Sequence, residues 1–344
     1  GKTTSTSMVA LILSQAGLSP SYIIGGFSPQ LKRNAAAGQS DILILEADEY
    51  DRTFLSLSPE FSLITNVEWD HPDCYPTEAD YQQVFVDFAK KTANPQQLII
   101  CGDNEGAWRL AQQFPKAHCY GLEDRNSWQA TDVTLNSAGG YSFHIRHQGQ
   151  VATPQPIQLS IPGKHNLLNA LGAIITSHLV GIPFDKAGDI LSTFHAPKRR
   201  FEMKGDVNGV TIIDDYAHHP SEIKACLAAA KDRFGSRPIW AVFQPHTFTR
   251  TRSLLSDFAQ SFTDADHVIL LDIFASAREQ NDGTIGSADL LALMRHQDAQ
   301  HRGSMINAIN YLRAHLSSGD VVMTLGAGDG YKVGETLLAQ GLLD

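Results

Sequence analysis

Asp41-Ile-Leu-Ile-Leu45-Glu46-Ala47-Asp48-Glu49 runs four large aliphatic side chains straight into a cluster of acids, and its reading decides the fold. A short unbroken apolar run is what a strand buried on both faces looks like in a parallel sheet. The pattern recurs. Residues 61–65 form a second such run ending in Asn66, and residues 98–101 a third, followed by Gly102-Asp103. Helix-like stretches fall between the runs, beginning with residues 5–16, which stop at Gly17. Alternation of this kind predicts a parallel α/β sheet with helices on its faces, and ligands then bind beyond the carboxyl ends of the strands. Those are the places where this chain gathers its acids and amides.

Working outward, residues 128–162 break the pattern. Gly139-Gly140 reads as a turn, and residues 141–147 alternate apolar with polar side chains, which predicts a small antiparallel excursion. Helices are expected over 166–178 and 184–193. The stretch 195–205 (HAPKRRFEMKG) is basic and turn-rich, and it marks a boundary between domains at 1–197 and 198–344. Alternation then resumes, with strands at 210–213, 239–243, 268–271 and 321–325 and helices at 221–234, 251–262 and 305–316. The chain closes with the glycine turn Gly326-Ala-Gly-Asp-Gly330.

A length of 344 residues fits two domains at about 150 residues each. Lysine plus arginine number 27 against 37 aspartates and glutamates, a net charge of −10, which argues against a general nucleic-acid binder or an anionic-membrane binder. No apolar run approaches the roughly 18 residues of a membrane span. Cys74, Cys101, Cys119 and Cys226 are scattered without a C-x-x-C pair, so neither a disulfide framework nor a zinc site is indicated, and a reducing cytoplasm fits.

Gly1-Lys2-Thr3-Thr4 has the sequence of the end of a phosphate-binding loop. There, backbone N–H groups at a helix start hold phosphate oxygens, the lysine neutralises their charge and the threonine hydroxyl takes Mg²⁺. The first residues of such a loop would precede Gly1, and four residues alone are equally a polar terminus. Glu46, at the end of an aliphatic strand downstream, is the acid that such a loop pairs with Mg²⁺, and the two features in this order favour nucleotide binding. His71, in Asn66-Val-Glu-Trp-Asp70-His71-Pro72-Asp73, is read as a second metal ligand or as a hydrogen-bonded loop residue. Asn166 and Asn169 share one side of a helix start, where they either cap it or read a base edge. Lys198-Arg199-Arg200 is a local cationic cluster. Asp214-Asp215-Tyr216-Ala-His218-His219-Pro220 follows a strand and leads into a helix; adjacent histidines do not easily converge on one metal ion, so it reads as ligand contact at a strand end. Gln244-Pro-His246-Thr-Phe-Thr249-Arg250-Thr-Arg252, placed in the same way, brings guanidinium and hydroxyl groups to a helix start, which suits an anionic substrate.

In this order, GKTT, EADE, TN-x(3)-DH, G-x-HN-x(2)-NA, RR-[FE] and a second α/β domain resemble the Mur ligase family, the ATP-dependent amide-forming enzymes of peptidoglycan synthesis, and the resemblance runs over the whole chain. It implies a central P-loop-type domain with a mostly parallel sheet, followed by a C-terminal Rossmann-like α/β domain. It also implies an N-terminal UDP-binding domain that this chain does not include, so the chain alone is expected to turn over poorly. DDYAHHP and FQPHTFTRTR are closest to the branch that joins L-alanine to UDP-N-acetylmuramate. The absence of lysine from residues 72–88 fits that branch, whereas Thr247 stands where the branch usually carries arginine. By resemblance, Gly1, Lys2, Thr3 and Thr4 would hold ATP phosphates, with Thr3, Glu46 and His71 on Mg²⁺. Asn169, Arg200 and Asp214 would contact the nucleotide, and Tyr216, His218 and Arg250 would lie toward alanine and the muramyl substrate. A ligase that attaches a preformed tripeptide to the same sugar nucleotide, and a nucleotide-binding non-catalytic partner, are the alternatives.

Overall fold

The computed structural model describes residues 1–277, 279–281 and 283–342, and the chain divides into two compact units, Gly1–Lys198 and Arg199–Asp344. No helix among the described residues is long and apolar enough to cross a membrane.

The first unit begins with α1 (Lys2–Gln15), whose residues from Thr3 to Leu13 are almost all buried. A helix buried on nearly every side, with small hydroxyl side chains in its first turns and large aliphatic ones after Met8, belongs inside a layer rather than on a surface. It packs on β1 (Ser21–Ser28), which pairs antiparallel with β2 (Arg33–Ala36) and parallel with β3 (Leu43–Leu45) to make a three-stranded sheet. A second sheet of seven strands contains β4 (Ser62–Ile64), β5 (Leu98–Cys101) and β6 (His118–Gly121) in parallel. Between these strands lie α2 (Glu78–Ala89) and α3 (Glu105–Ala111). The excursion expected from the Gly139-Gly140 turn forms as β7 (Trp128–Leu135) and β8 (Tyr141–His147), antiparallel, with β9 (Gln150–Val151) and β10 (Ile157–Gln158) beside β8. It is continuous with the parallel strands, because β7 pairs with β6. Ala130, Phe143 and Ile145 turn inward from it onto α4 (Lys164–Leu179) and α5 (Phe184–Ser192) and share one core with Leu11, Leu167 and Ile174.

In the second unit six strands lie in the order β11-β12-β16-β13-β14-β15. Here β11 (Glu202–Val207) is antiparallel to β12 (Val210–Asp215), while β13 (Ile239–Phe243), β14 (His267–Leu271), β15 (Ala299–Gly303) and β16 (Val321–Leu325) run parallel. The helices are α6 (Pro220–Phe234), α7 (Phe248–Ser253), α8 (Leu255–Ala259), α9 (Ser287–Leu293), α10 (Met305–His315) and α11 (Lys332–Gln340).

Two local expectations change. The basic stretch after His195 is a turn only as far as Phe201, with Arg199 and Phe201 at positive φ, and then becomes the edge strand β11. The helix expected over 251–262 starts earlier and is split into α7 and α8 at Leu254, whose φ of −111° and ψ of 20° depart from helical values. Its early start follows from Thr247, held at φ +68° directly before it, and from the Glu279 carboxylate, which accepts the N–H groups of Phe248 (2.5 Å) and Thr249 (3.3 Å) that begin the helix.

Candidate active site

The start of α1 faces the carboxyl end of β3. The Thr3 hydroxyl donates to Glu46 Oε1 at 2.8 Å, and Glu46 Oε2 accepts the Gly25 N–H at 2.6 Å. Gly25 is the residue β1 needs at this point: a Cβ there would lie 2.7 Å from the Glu46 carboxylate. A threonine hydroxyl against a carboxylate is an oxygen pair of the kind Mg²⁺ takes, which usually binds one or two protein oxygens and keeps water or phosphate for the rest. No group of three or more His, Cys, Asp or Glu side chains is placed to hold a metal ion among the described residues.

Beside this pair sits a charge cluster centred on Glu49. Its carboxylate is ion-paired to Lys2 and lies 3.7 Å from His71 Nε2, and Asp48 lies 3.5 Å from Lys2 Nζ. The Tyr75 hydroxyl donates to the Glu49 carbonyl. Burial pushes the Glu49 carboxyl up, but His71 and Lys2 outweigh it and hold the carboxyl at about 2. Burial likewise pulls the Lys2 ammonium down, and Glu49, with Asp48 and Glu46, leaves it above its ordinary value. His71 adopts φ +56°, which turns its ring toward Glu49 and edge-on to Tyr50, 5.0 Å between centroids. Asp70 braces the turn by accepting the His71 N–H at 2.7 Å.

Asn169 lies under the start of α1. Ser5 donates to its Oδ1 at 3.3 Å, and its Nδ2 donates to Asn166 Oδ1 at 3.3 Å. Asn166 in turn donates to the Pro162 carbonyl at 2.7 Å. Both carboxamides are buried and engaged, and a Cβ on Gly1 would meet Asn169 Oδ1 at 2.6 Å. Thr4 is buried in the same place.

In the second unit, Asp214 at the end of β12 is buried and doubly bonded. Its Oδ2 accepts from Arg199 Nε at 2.9 Å and its Oδ1 from the Thr324 hydroxyl at 2.8 Å. Burial raises its pKa against the opposing pull of Arg199. Arg199 also donates to the Gly326 carbonyl at 2.7 Å, which ties the glycine turn to β12. Tyr216 has both Arg199 and Arg200 over its ring at 5.0 Å. His218 is held by the Tyr216 carbonyl at 2.9 Å from its Nδ1 and by Glu222 at 3.3 Å. Its ring centroid is 6.3 Å from that of His246. Arg250, buried, donates to the His246 carbonyl at 3.3 Å and lies 3.2 Å from its Nδ1.

The structure therefore sets Thr3 against Glu46 past the end of β3, and Lys2 and His71 (from the loop after β4) on Glu49 beside them, with Gly1 and Asn169 adjoining. It groups Arg200, Asp214, Tyr216, His218 and Arg250 along the strand ends of the second unit. Three further residues lie at the centre of these groups: Glu49, Arg199 and His246. Each stands in a stretch quoted from the sequence, but nothing local separates Glu49 from Glu46, or Arg199 from Arg200, before the chain is folded.

Residues 1–177 match the Mur ligase middle domain, and residues 199–328 match the Mur ligase glutamate ligase domain. The chain is 41% identical over 354 residues to the UDP-N-acetylmuramate–L-alanine ligase of Roseiflexus sp. (strain RS-1), covering 98% of this chain and 75% of that protein. It is 39% identical over 343 residues to the ligase of the same name from Caldanaerobacter subterraneus subsp. tengcongensis, covering 99% of this chain and 74% of that protein. Among solved structures, the UDP-N-acetylmuramate–alanine ligase of Thermotoga maritima superposes with a TM-score of 0.78 at 24% identity, over 99% of this chain and 73% of that one. A murein peptide ligase of Psychrobacter arcticus gives 0.72 at 24% identity, over 100% of this chain and 76% of that one. At that identity the two structures share its fold.

Proposed function

The chain belongs to the Mur ligase family, and from that premise we propose that it carries out the ATP-dependent joining of L-alanine to the carboxylate of UDP-N-acetylmuramate in the cytoplasm. The observation that carries the substrate assignment is the 41% identity to an alanine-adding ligase across 98% of the chain. The chemistry is an exchange of bonds in two stages. The muramyl carboxylate attacks the γ-phosphorus of ATP, forming a C–O–P linkage and releasing ADP. The alanine amine then attacks the activated carbonyl, and the tetrahedral adduct collapses to the amide and phosphate with loss of a proton.

An anion attacking a polyanion needs its repulsion cancelled, and the residues at the start of α1 are suited to that. Lys2 would exchange Glu49 for phosphate oxygens, and the buried helix start would present N–H groups to them. Thr3 and Glu46, with His71 nearby, would hold Mg²⁺, which supplies positive charge on the transferred phosphoryl group when bound. The family resemblance and the cluster around Arg250 and His218 support a role for those residues in holding the carboxylate substrates, and Arg200 and Asp214 one toward the nucleotide. No residue is assigned as general base.

The test is phosphate release from ATP by a chimera of this chain with the part of the Roseiflexus ligase that it does not span. Release should require both UDP-N-acetylmuramate and L-alanine, and Glu46→Gln should abolish it. Turnover with a tripeptide in place of alanine, and none with alanine, would overturn the assignment.

A further inference from the structure

The loop that carries His71 runs from β4 to α2 without a strand or helix of its own, so side chains must set its position. Its later half braces itself. The Cys74 and Tyr75 N–H groups donate to the His71 carbonyl at 2.9 Å, and the Trp69 indole donates to the Tyr75 carbonyl at 2.9 Å. Its earlier half is held from outside by Asn104, the residue before α3. Asn104 Oδ1 accepts from the Ala107 N–H at 2.9 Å and from the Val67 N–H at 3.0 Å, and Asn104 Nδ2 donates to Glu68 Oε1 at 2.9 Å. Capping α3 needs only the first of these bonds, and aspartate caps as well as asparagine. An amide is the group that offers an acceptor to Val67 and a donor to the Glu68 carboxylate together.

We propose that Asn104 is a positioning residue for the cation site: by fixing Val67 and Glu68 it holds His71 opposite Glu49, and so sets the affinity for the divalent cation that accompanies the nucleotide. The inference rests on the assignment of His71 to that cation. Groups hydrogen-bonded directly to a metal ligand typically change metal affinity by about 10- to 100-fold when lost. Asn104 acts one step further out, through Val67 and Glu68, so the lower end of that range is the upper bound on its effect.

The experiment titrates Mn²⁺ into the chain by electron paramagnetic resonance with a non-hydrolysable ATP analogue present, alongside a thermal melt. Asn104→Asp keeps the α3 cap and the bond to Val67 but sets a second carboxylate against Glu68. It should melt near the wild type and bind Mn²⁺ measurably more weakly, by up to about tenfold. Glu68→Gln alone keeps its acceptor oxygen and should bind as the wild type does. The double variant N104D/E68Q reverses donor and acceptor and should restore affinity. Wild-type affinity in Asn104→Asp, or no recovery in the double variant, overturns the proposal. Should Asn104→Asp fail to fold, Glu68→Ala takes its place, and unchanged Mn²⁺ affinity there overturns it equally. His71→Ala separates the premise from the inference. Undiminished Mn²⁺ binding in that variant refutes the role of His71, whereas weakened binding beside a normal Asn104→Asp refutes only the role of Asn104.

Discussion

Glu49→Gln removes one negative charge from the cluster at the start of α1 while keeping the shape of the side chain. The Glu49 side chain is 10% exposed and His71 18%, so that contact is weakly screened by solvent. The Lys2 side chain is 41% exposed and its pair with Glu49 is screened on the outer side, which makes the stability worked from the Glu49 pKa an upper bound. Its carboxyl titrates at about 2 in the folded unit against an ordinary 4.5, a difference of 4.5 − 2 = 2.5. At 1.36 kcal/mol for each pH unit this is at most about 3 kcal/mol of stability drawn from ionised Glu49. A carboxylate with a depressed folded value contributes that stability in full above 4.5 and loses it as pH falls toward about 2. Glutamine imitates the protonated acid. The variant should therefore unfold in urea with up to about 3 kcal/mol less stability than the wild type at pH 7, and the gap should narrow steadily from pH 5 downward. A gap that stays constant with pH would show that glutamine disturbs packing rather than charge. A gap well below 1 kcal/mol at pH 7 would place the Lys2 pair among exposed ion pairs of little consequence. Either result refutes the account of the cluster.

Two further substitutions probe the scaffold around the two clusters. Gly106→Ala should lower the melting temperature, although alanine favours helix, because its Cβ would collide with the Val67 carbonyl and strain of about 1–3 kcal/mol exceeds the propensity gain; an unchanged or raised melting temperature would refute the close approach. Arg199→Met should cost about 3–5 kcal/mol in urea unfolding because it strands the buried Asp214 carboxylate, and Asp214→Asn in the same chain should recover much of that loss.

What could be read in the sequence follows from where each element lies. The strands β5, β13 and β16 are buried along their whole length, so each is an almost unbroken apolar run, with Thr324 the one polar side chain in them, bounded by polar residues, glycine or proline. By contrast β15, Ala-Gln-His-Arg-Gly, is a half-buried edge with no apolar periodicity, and its strand character comes from pairing with β14. The adjacent glycines of β1 look like a turn, yet Gly25 is there because the Glu46 carboxylate comes up against the backbone. The site divides in the same way. Glu46 and the GKTT segment were legible because a strand end and a helix start are local features. The place of Glu49 depends on a 3₁₀ segment, Tyr50–Ser56, in which Asp51 and Arg52 take positive φ, and on a lysine 47 residues away. Asn104 reads locally as a helix cap; its second function exists only once β4 and β5 lie side by side.

A net charge of −10 is an awkward property for a protein proposed to bind a polyanionic nucleotide and an anionic sugar. The arrangement of the two clusters resolves it. Lys2 is already neutralised by Glu49 and Asp48, and Arg199 by Asp214, so the cations are held in place without exposing a basic surface. An arriving phosphate would then replace one carboxylate partner with another oxyanion, and the binding energy would be the difference between two ion pairs rather than the whole of one. The displaced Glu49 carboxylate, still close to His71, would need a new positive partner. A divalent cation arriving with the nucleotide meets that need, whereas the nucleotide alone leaves a buried carboxylate facing added negative charge. On this account nucleotide affinity depends steeply on the cation in the wild type. In Glu49→Gln the dependence should flatten, since no charge is displaced, and the affinity for the cation-free nucleotide should rise. Titration of ATP by fluorescence or calorimetry with and without Mg²⁺ measures both. Equal cation dependence in the two proteins would mean that Glu49 never leaves Lys2 when phosphate binds.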